Sequence, residues 1–413
     1  MKNKTGLTKN RSFLAVWIGN GASELGGAFG TFCNSILVYQ LTGSGIALGS
    51  MWVLYYVPSL LLQLVIGPFI DRWSKKEIMI FSQWTRALLF LILLGLLFTN
   101  ELEVWHIYGV QLVIGLSTPL YVPANQAILP TLVSRDDLPH ANAYIESTMR
   151  LMSFLAPILA GIIIEAAGIR ETLIFTSILL FTSGLAICSV SVKRETVDSR
   201  VSWLVELKEG YTTFFRNPVL LWLGIFLGFV QFGVGVTLVT TLPYITSELK
   251  GSYAHYGYFM AGFPMGYIVG ALIATNIPKE NRQRLMLGAL CIGGTTFIAL
   301  YFINSIPLAI FTEAIGGMVM AIFSIHNLTL FQEIVANNQL GRVASVRLLL
   351  IRSFMLLGIV SGGLLSEVWG IRPLYLFIGT IICVTSVIGL IHPYFRFLNG
   401  SKLSIRKSEM KQG

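Results

Sequence analysis

The sequence is short of charge. Lys, Arg, Asp and Glu make up 12% of its 413 residues, about half of the ~25% usual in a soluble domain. A soluble chain of this length also divides into two or three domains joined by polar linkers, and no Pro/Ser-rich or low-complexity stretch interrupts this one. Histidine is scarce too: five residues, dispersed, with no His-Glu-x-x-His and no His/Asp/Glu cluster. That argues against a membrane metalloenzyme. The phosphate loop G-x-x-x-x-G-K-[ST] is missing, which argues against an ATP-driven pump. The four cysteines, Cys33, Cys188, Cys291 and Cys383, fall in apolar runs without CxxC or metal-ligand spacing and read as buried free thiols. The expectation is a chain that is not an enzyme and uses no cofactor or metal.

What the sequence has is apolar surface. Hydrophobic residues are 54% of the chain, and lipid is the solvent that accommodates them. A spanning helix needs roughly 20 largely apolar residues. Such runs lie near 12–39, 45–70, 77–98, 104–130, 141–167, 171–192, 218–245, 253–276, 284–303, 307–333, 342–367 and 371–396. The fold expected is an all-α integral membrane protein with twelve transmembrane helices. The first run is too long and Gly-rich for a signal peptide, and no small-residue cleavage site follows it.

The formal charge of +9 could suggest a nucleic-acid partner, so the placement of the charges decides. With the amino terminus on the cytoplasmic side, 22 of the 29 basic residues fall there and 3 (Arg170, Lys250, Arg372) on the other side; Arg86, Arg150, Arg347 and Arg352 lie within spans. Cytoplasmic loops concentrate Lys and Arg. The basic balance therefore reports topology, with both termini cytoplasmic, and implies no nucleic acid.

The chain repeats itself. A shift of 202 residues brings Gly161, Glu165, Gly168, Ile169 and Arg170 onto Gly363, Glu367, Gly370, Ile371 and Arg372, and Arg150 onto Arg352. Six helices are duplicated, which sets the expected organisation: an N-terminal six-helix bundle over 1–192, a cytoplasmic linker over 193–217, a C-terminal six-helix bundle over 218–398 and a tail over 399–413. In the linker Val201, Leu204, Leu207, Tyr211 and Phe214 recur at helical spacing, as in an amphipathic helix on the membrane surface.

Two parallel six-helix repeats resemble the major facilitator superfamily, in which the solute site lies between the halves. The segment Gly67-Pro68-Phe69-Ile70-Asp71-Arg72-Trp73-Ser74-Lys75-Lys76 resembles the signature loop of that superfamily between helices two and three, with Ser74 in place of a usual Gly and Lys75 in place of a usual Arg. Leu41 to Ser44, Pro119 to Leu138 and Ala141 to Ala143 resemble the macrolide-efflux-like branch of drug:proton antiporters. The resemblance implies a secondary transporter that works by alternating access, exporting a small amphipathic or lipophilic compound in exchange for protons across a bacterial inner or plasma membrane. Membrane lipids are its other partners, and the sequence leaves the oligomeric state open. A proton-coupled importer, a channel and a sensor on a carrier scaffold stay open as alternatives.

Several residues carry the expected mechanism. In the signature loop Gly67, Asp71, Arg72, Lys75 and Lys76 form a gating latch, because a carboxylate beside a helix amino terminus is stabilised by the macrodipole, by roughly 0.3 to 1 kcal/mol when exposed. The resemblance places that amino terminus near Gly341. In span five Ala156, Pro157, Ala160 and Gly161 resemble an antiporter motif: small residues permit close helix approach and Pro permits a bend. Ionisable groups inside lipid are costly, so each needs a partner or a task. Glu24 lies about 12 residues, ~18 Å, into span one, near the midplane, where a neutral acid is tolerated better than an unpaired charge. It is the leading candidate for proton coupling, and it stands in for an Asp that the branch often carries where this chain has Gly27. Glu313, about 7 residues from the outer end of span ten, is the second. By resemblance spans one, four, seven and ten line the cavity, so Glu24, Gln111, Glu313 and His326 are expected to face the solute. Arg86, Arg150 and Arg352 are expected in buried charge pairs, with Glu146 one turn from Arg150.

Overall fold

The computed structural model describes residues 7–66, 73–134, 137–191, 203–276, 282–336 and 339–399. Among these residues twelve long helices follow one another: α1 Arg11–Thr42, α2 Gly45–Val65, α3 Lys75–Thr99, α4 Val104–Leu132, α5 Leu138–Ala166, α6 Ile169–Cys188, α7 Pro218–Pro243, α8 Tyr253–Asn276, α9 Arg282–Phe302, α10 Ile306–Ile334, α11 Leu340–Trp369 and α12 Ile371–Ile391. A linker helix, Trp203–Arg216, precedes α7. Eleven of these helices are each long and apolar enough to cross a membrane. The twelfth span is α1, which is less apolar because it carries Asn20, Ser23, Glu24, Asn34, Ser35 and five glycines.

Local chemistry sets the helix limits. Asn10 caps α1 by accepting a hydrogen bond from the Phe13 N–H, and Gly43 closes it in the left-handed region (φ 63°). Ser44 then caps α2. The last span ends at Ile391, five residues earlier than its apolar run suggests, because Pro393 cannot continue an α-helix and a 3-10 segment, Pro393–Asn399, follows. Span seven ends in a π-turn over Tyr244–Glu248.

The chain forms two compact units. The first holds α1 to α6 together with residues 251–258, the start of α8; the second holds the linker helix, α7, the remainder of α8 and α9 to α12. In the first unit α1 packs on α5 and α6, α3 on α4 and α6, and α2 on α4. The second unit repeats most of these pairings, as α7 on α11, α9 on α10 and α12, and α8 on α10, while α7 touches α12 only slightly. Glycines permit the tightest contacts. Gly262, Gly266 and Gly270 of α8 meet the backbone of Ile310, Ala314 and Met318 in α10, and Gly317 meets Phe263 in return. Where lipid is as apolar as the side chains, close backbone approach of this kind supplies the van der Waals contact that holds helices together.

The repeat extends to how helix ends are tied. Lys76 at the start of α3 donates to the carbonyls of Cys188 and Val190, both at 2.7 Å, at the carboxyl end of α6. Gln283 at the start of α9 donates to the carbonyls of Gly389 (2.9 Å) and Leu390 (3.5 Å) at the end of α12. Both contacts satisfy carbonyls that a helix leaves without an internal partner, and the lysine adds a cation where the macrodipole is negative. Cys33 is a buried free thiol, while Cys188, Cys291 and Cys383 are half-buried free thiols.

Candidate solute and proton site

The interior of the first unit is polar along one stripe of α1. Asn20, Ser23, Glu24 and Gly27 stand at the i, i+3, i+4 and i+7 spacing of one helix face. Asn20 donates to the Asn125 side chain (2.9 Å) and accepts from the Tyr121 hydroxyl (2.8 Å), both on α4. Ser23 accepts from Gln83 of α3 at 2.5 Å. Glu24 is half-buried, and its carboxylate accepts from the Ser153 hydroxyl of α5 at 2.7 Å. Further along α1, Asn34 donates to Gln111 of α4 (3.2 Å), with both side chains fully buried.

Ser153 sits one turn before Pro157. In that motif Ala156 and Ala160 are fully buried. Gly161 lies 2.6 Å, by the position of an added Cβ, from the Tyr253 carbonyl, and Gly257 lies against the Pro157 carbonyl. Beyond them Glu165 accepts from the Ala254 N–H at 3.1 Å, and Gln40 of α1 donates to the Tyr253 hydroxyl at 2.8 Å. One face of α5 thus carries the partner of Glu24 at one level and the seat of residues 253–257 at the next.

The charged residues are placed unevenly. Glu146 and Arg150 lie 4.0 Å apart on α5, but their side chains are 65% and 80% exposed within the chain, so this pair sits on an open face and not in the interior. A charge pair in the middle of a span faces water or protein in preference to lipid. Arg352 is half-buried on α11. Arg86 is half-buried on α3 and lies over Gly27; no carboxylate forms an ion pair with it among the described residues. In the signature loop, Lys75 opens α3, Lys76 ties α3 to α6, and Ser74 caps α3 by accepting from the Glu77 N–H (3.4 Å). A Gly at 74 would lack that cap. Gly67, Asp71 and Arg72 lie outside the described residues.

In the second unit Glu313 is half-buried on α10 beside Gly262 of α8, with no hydrogen bond or ion pair among the described residues. His326 is buried on α10. Its neighbour Asn327 donates to the Leu223 carbonyl (3.1 Å) and accepts from Arg347 (2.9 Å), whose guanidinium lies 4.8 Å from the Phe331 ring centre. Glu24 and Gln111 therefore belong to one unit, Glu313 and His326 to the other. The polar stripe of α1, Gln83 and Arg347 with Asn327 are functional candidates that the search for isolated charges did not find. The helical spacing of Asn20, Ser23 and Glu24 is the signal that marks the stripe.

Two six-helix membrane units with repeated helix pairings, each holding polar and ionisable groups inside its spans, define a multi-pass membrane transporter. The chain belongs to the Major Facilitator Superfamily, whose family model matches residues 16–351, and it is accordingly a transporter and not an enzyme. It is similar to macrolide efflux protein A of Streptococcus pyogenes, 22% identical over 395 residues that cover 92% of this chain and 96% of that protein. It is also 25% identical to the enterobactin exporter EntS of Salmonella typhi over 278 residues, 67% of each chain. Among solved structures it resembles a bacterial homologue of the iron transporter ferroportin, in its inward-facing state, with a TM-score of 0.71 at 14% identity over 94% of this chain and 100% of that one. That likeness concerns the fold.

Proposed function

We propose that this transporter exports a small amphipathic or lipophilic compound across the cell membrane in exchange for protons, by alternating access, with both termini cytoplasmic. The observation that carries the reading is the hydrogen bond from Ser153 to Glu24. It joins the one carboxylate in the middle of α1 to the helix that bears Pro157, so a change of protonation at Glu24 acts directly on α5. Protonation removes the negative charge that Ser153 serves, and the helix that seats residues 253–257 loses a charge-assisted contact at the same step. The efflux-type relatives support the outward direction. Glu313 is the second proton-exchanging group, Gln111 and His326 contribute to the solute cavity, and the bundles 1–192 and 218–398 are the two moving bodies.

The test is transport in vesicles under an imposed pH gradient. Wild type should concentrate solute on the acidic side of the membrane. Glu24→Gln should retain solute binding and counterflow exchange but lose concentration against a gradient. Accumulation by Glu24→Gln equal to that of wild type would remove Glu24 from the coupling step, and accumulation on the alkaline side would make the protein an importer.

A further inference from the structure

The contact between α1 and α3 is built in three rungs. Met79, Gln83, Arg86 and Phe90 share one face of α3, and the last three meet α1 in order. Gln83 donates to Ser23, and the far end of the Phe90 ring meets Gly30. Between them the Arg86 guanidinium lies directly over Gly27, in the place a Cβ would take. The Phe90 rung is an apolar contact, and the Gln83 rung has its amide N–H satisfied while its Oε1 is buried without a partner. The middle one brings a cation to bare backbone and gives it no acceptor: among the described residues Arg86 makes no hydrogen bond or ion pair, and its Nε is sealed from solvent without a partner.

A guanidinium offers five donors and stays charged at any physiological pH. Near the middle of a span, a cation without a counter-charge is unfavourable unless something pairs with it. Tyr55 of α2, Tyr121 of α4 and Glu24 are the ionisable groups around Arg86, and of these only the Glu24 carboxylate carries charge at physiological pH, the two phenols being neutral. Tyr121 is bonded to Asn20, Tyr55 to Thr118 and Glu24 to Ser153, so each already has its own partner. Arg86 as a residue is half-buried, not sealed.

We propose that Arg86, in the space left open by Gly27, is the binding group for an acidic moiety of the transported solute, so that the solute class is an amphipathic organic anion such as an aromatic carboxylate. The planar fork of the guanidinium matches two carboxylate oxygens side by side, and the Tyr55 and Tyr121 rings supply apolar surface for the body of the molecule. An anion also leaves the cell with the interior-negative membrane potential, which adds to the drive for export. The inference rests on the reading of this chain as an exporter, but its test is a binding measurement.

Purified full-length protein in detergent is titrated with three probes of one shape: 2-naphthoate, 2-naphthamide and 2-naphthylmethylammonium. Wild type should bind naphthoate at least about tenfold more tightly than naphthamide, and the cation most weakly. In Arg86→Gln the naphthoate-to-naphthamide ratio should fall to about one. A ratio taken within one variant does not depend on how much of it is folded. Arg86→Lys keeps the charge without the fork and should lose part of the preference, as should Gly27→Ala, which displaces the guanidinium. No charge preference in wild type, or a preference that survives in Arg86→Gln, overturns the proposal, as does an unchanged ratio in both Arg86→Lys and Gly27→Ala. Wild type that prefers naphthoate but builds no gradient in vesicles sinks the export reading and leaves the site standing. Wild type that exports a solute but ignores probe charge sinks the site alone.

Discussion

Ser153 of α5 donates its hydroxyl proton to the Glu24 carboxylate of α1 at 2.7 Å, and this one contact links an ionisable group to the helix that carries Pro157 among the small residues Ala156, Ala160 and Gly161. Glu24→Gln separates binding from coupling, as described above. Ser153→Ala tests the link. The charged carboxylate gains more from that donor than the neutral acid does, so its loss should weaken coupling and lower accumulation under an imposed pH gradient several-fold while leaving solute binding intact. Accumulation equal to wild type in Ser153→Ala, while Glu24→Gln abolishes it, would show that Glu24 works without α5.

The basic loop before α3 should divide into a structural and a switching part. Lys76→Met removes two bonds to the end of α6 and should lower thermal stability, by about 1 to 3 kcal/mol for charge-assisted bonds in a half-buried setting. Asp71 lies outside the described residues; on the latch that the signature-loop resemblance implies, Asp71→Asn should leave stability and solute binding intact and slow transport. Unfolding curves and vesicle turnover on the two variants distinguish the roles. Normal turnover in Asp71→Asn at wild-type abundance would sink the latch.

Orientation can be read chemically. With Cys33, Cys188, Cys291 and Cys383 replaced, a cysteine at Ser305, exposed at the start of α10, should react with an impermeant thiol reagent from outside intact cells. One at Ser199, in the linker, should react only after permeabilisation. The reversed pattern would overturn the proposed cytoplasmic placement of both termini.

Glycines that look alike in the sequence should differ in tolerance. At Gly266 an added Cβ meets the carbonyl and Cα of Ala314, whereas at Gly95 it meets nothing within 4 Å. Gly266→Ala should therefore cost about 1 to 3 kcal/mol by forcing α8 from α10, and Gly95→Ala should be neutral or slightly stabilising. Equal melting temperatures would mean that the α8–α10 contact is looser than its geometry.

The twelve spans, their order and their duplication were legible in the sequence because a helix in lipid satisfies its own backbone, so its existence depends only on a local run of apolar residues. Glu24 and Glu313 were legible for the same reason: a carboxylate in such a run is conspicuous by itself. Helix ends were less so, and Pro393 cut the last span short. The partners were decided only by the tertiary structure. Ser153 is 129 residues from Glu24, and Lys76 reaches carbonyls 112 and 114 residues away. Which face of each helix turns inward depends on its rotation against its neighbours, and composition leaves that free. Arg86 makes the case most clearly: in the sequence it is a basic residue in need of a carboxylate, and only the packing of α3 on α1 sets it over Gly27 with its donors unfilled. Glu146 and Arg150 are a pair in both descriptions, but only the packing of α5 puts them on an open face.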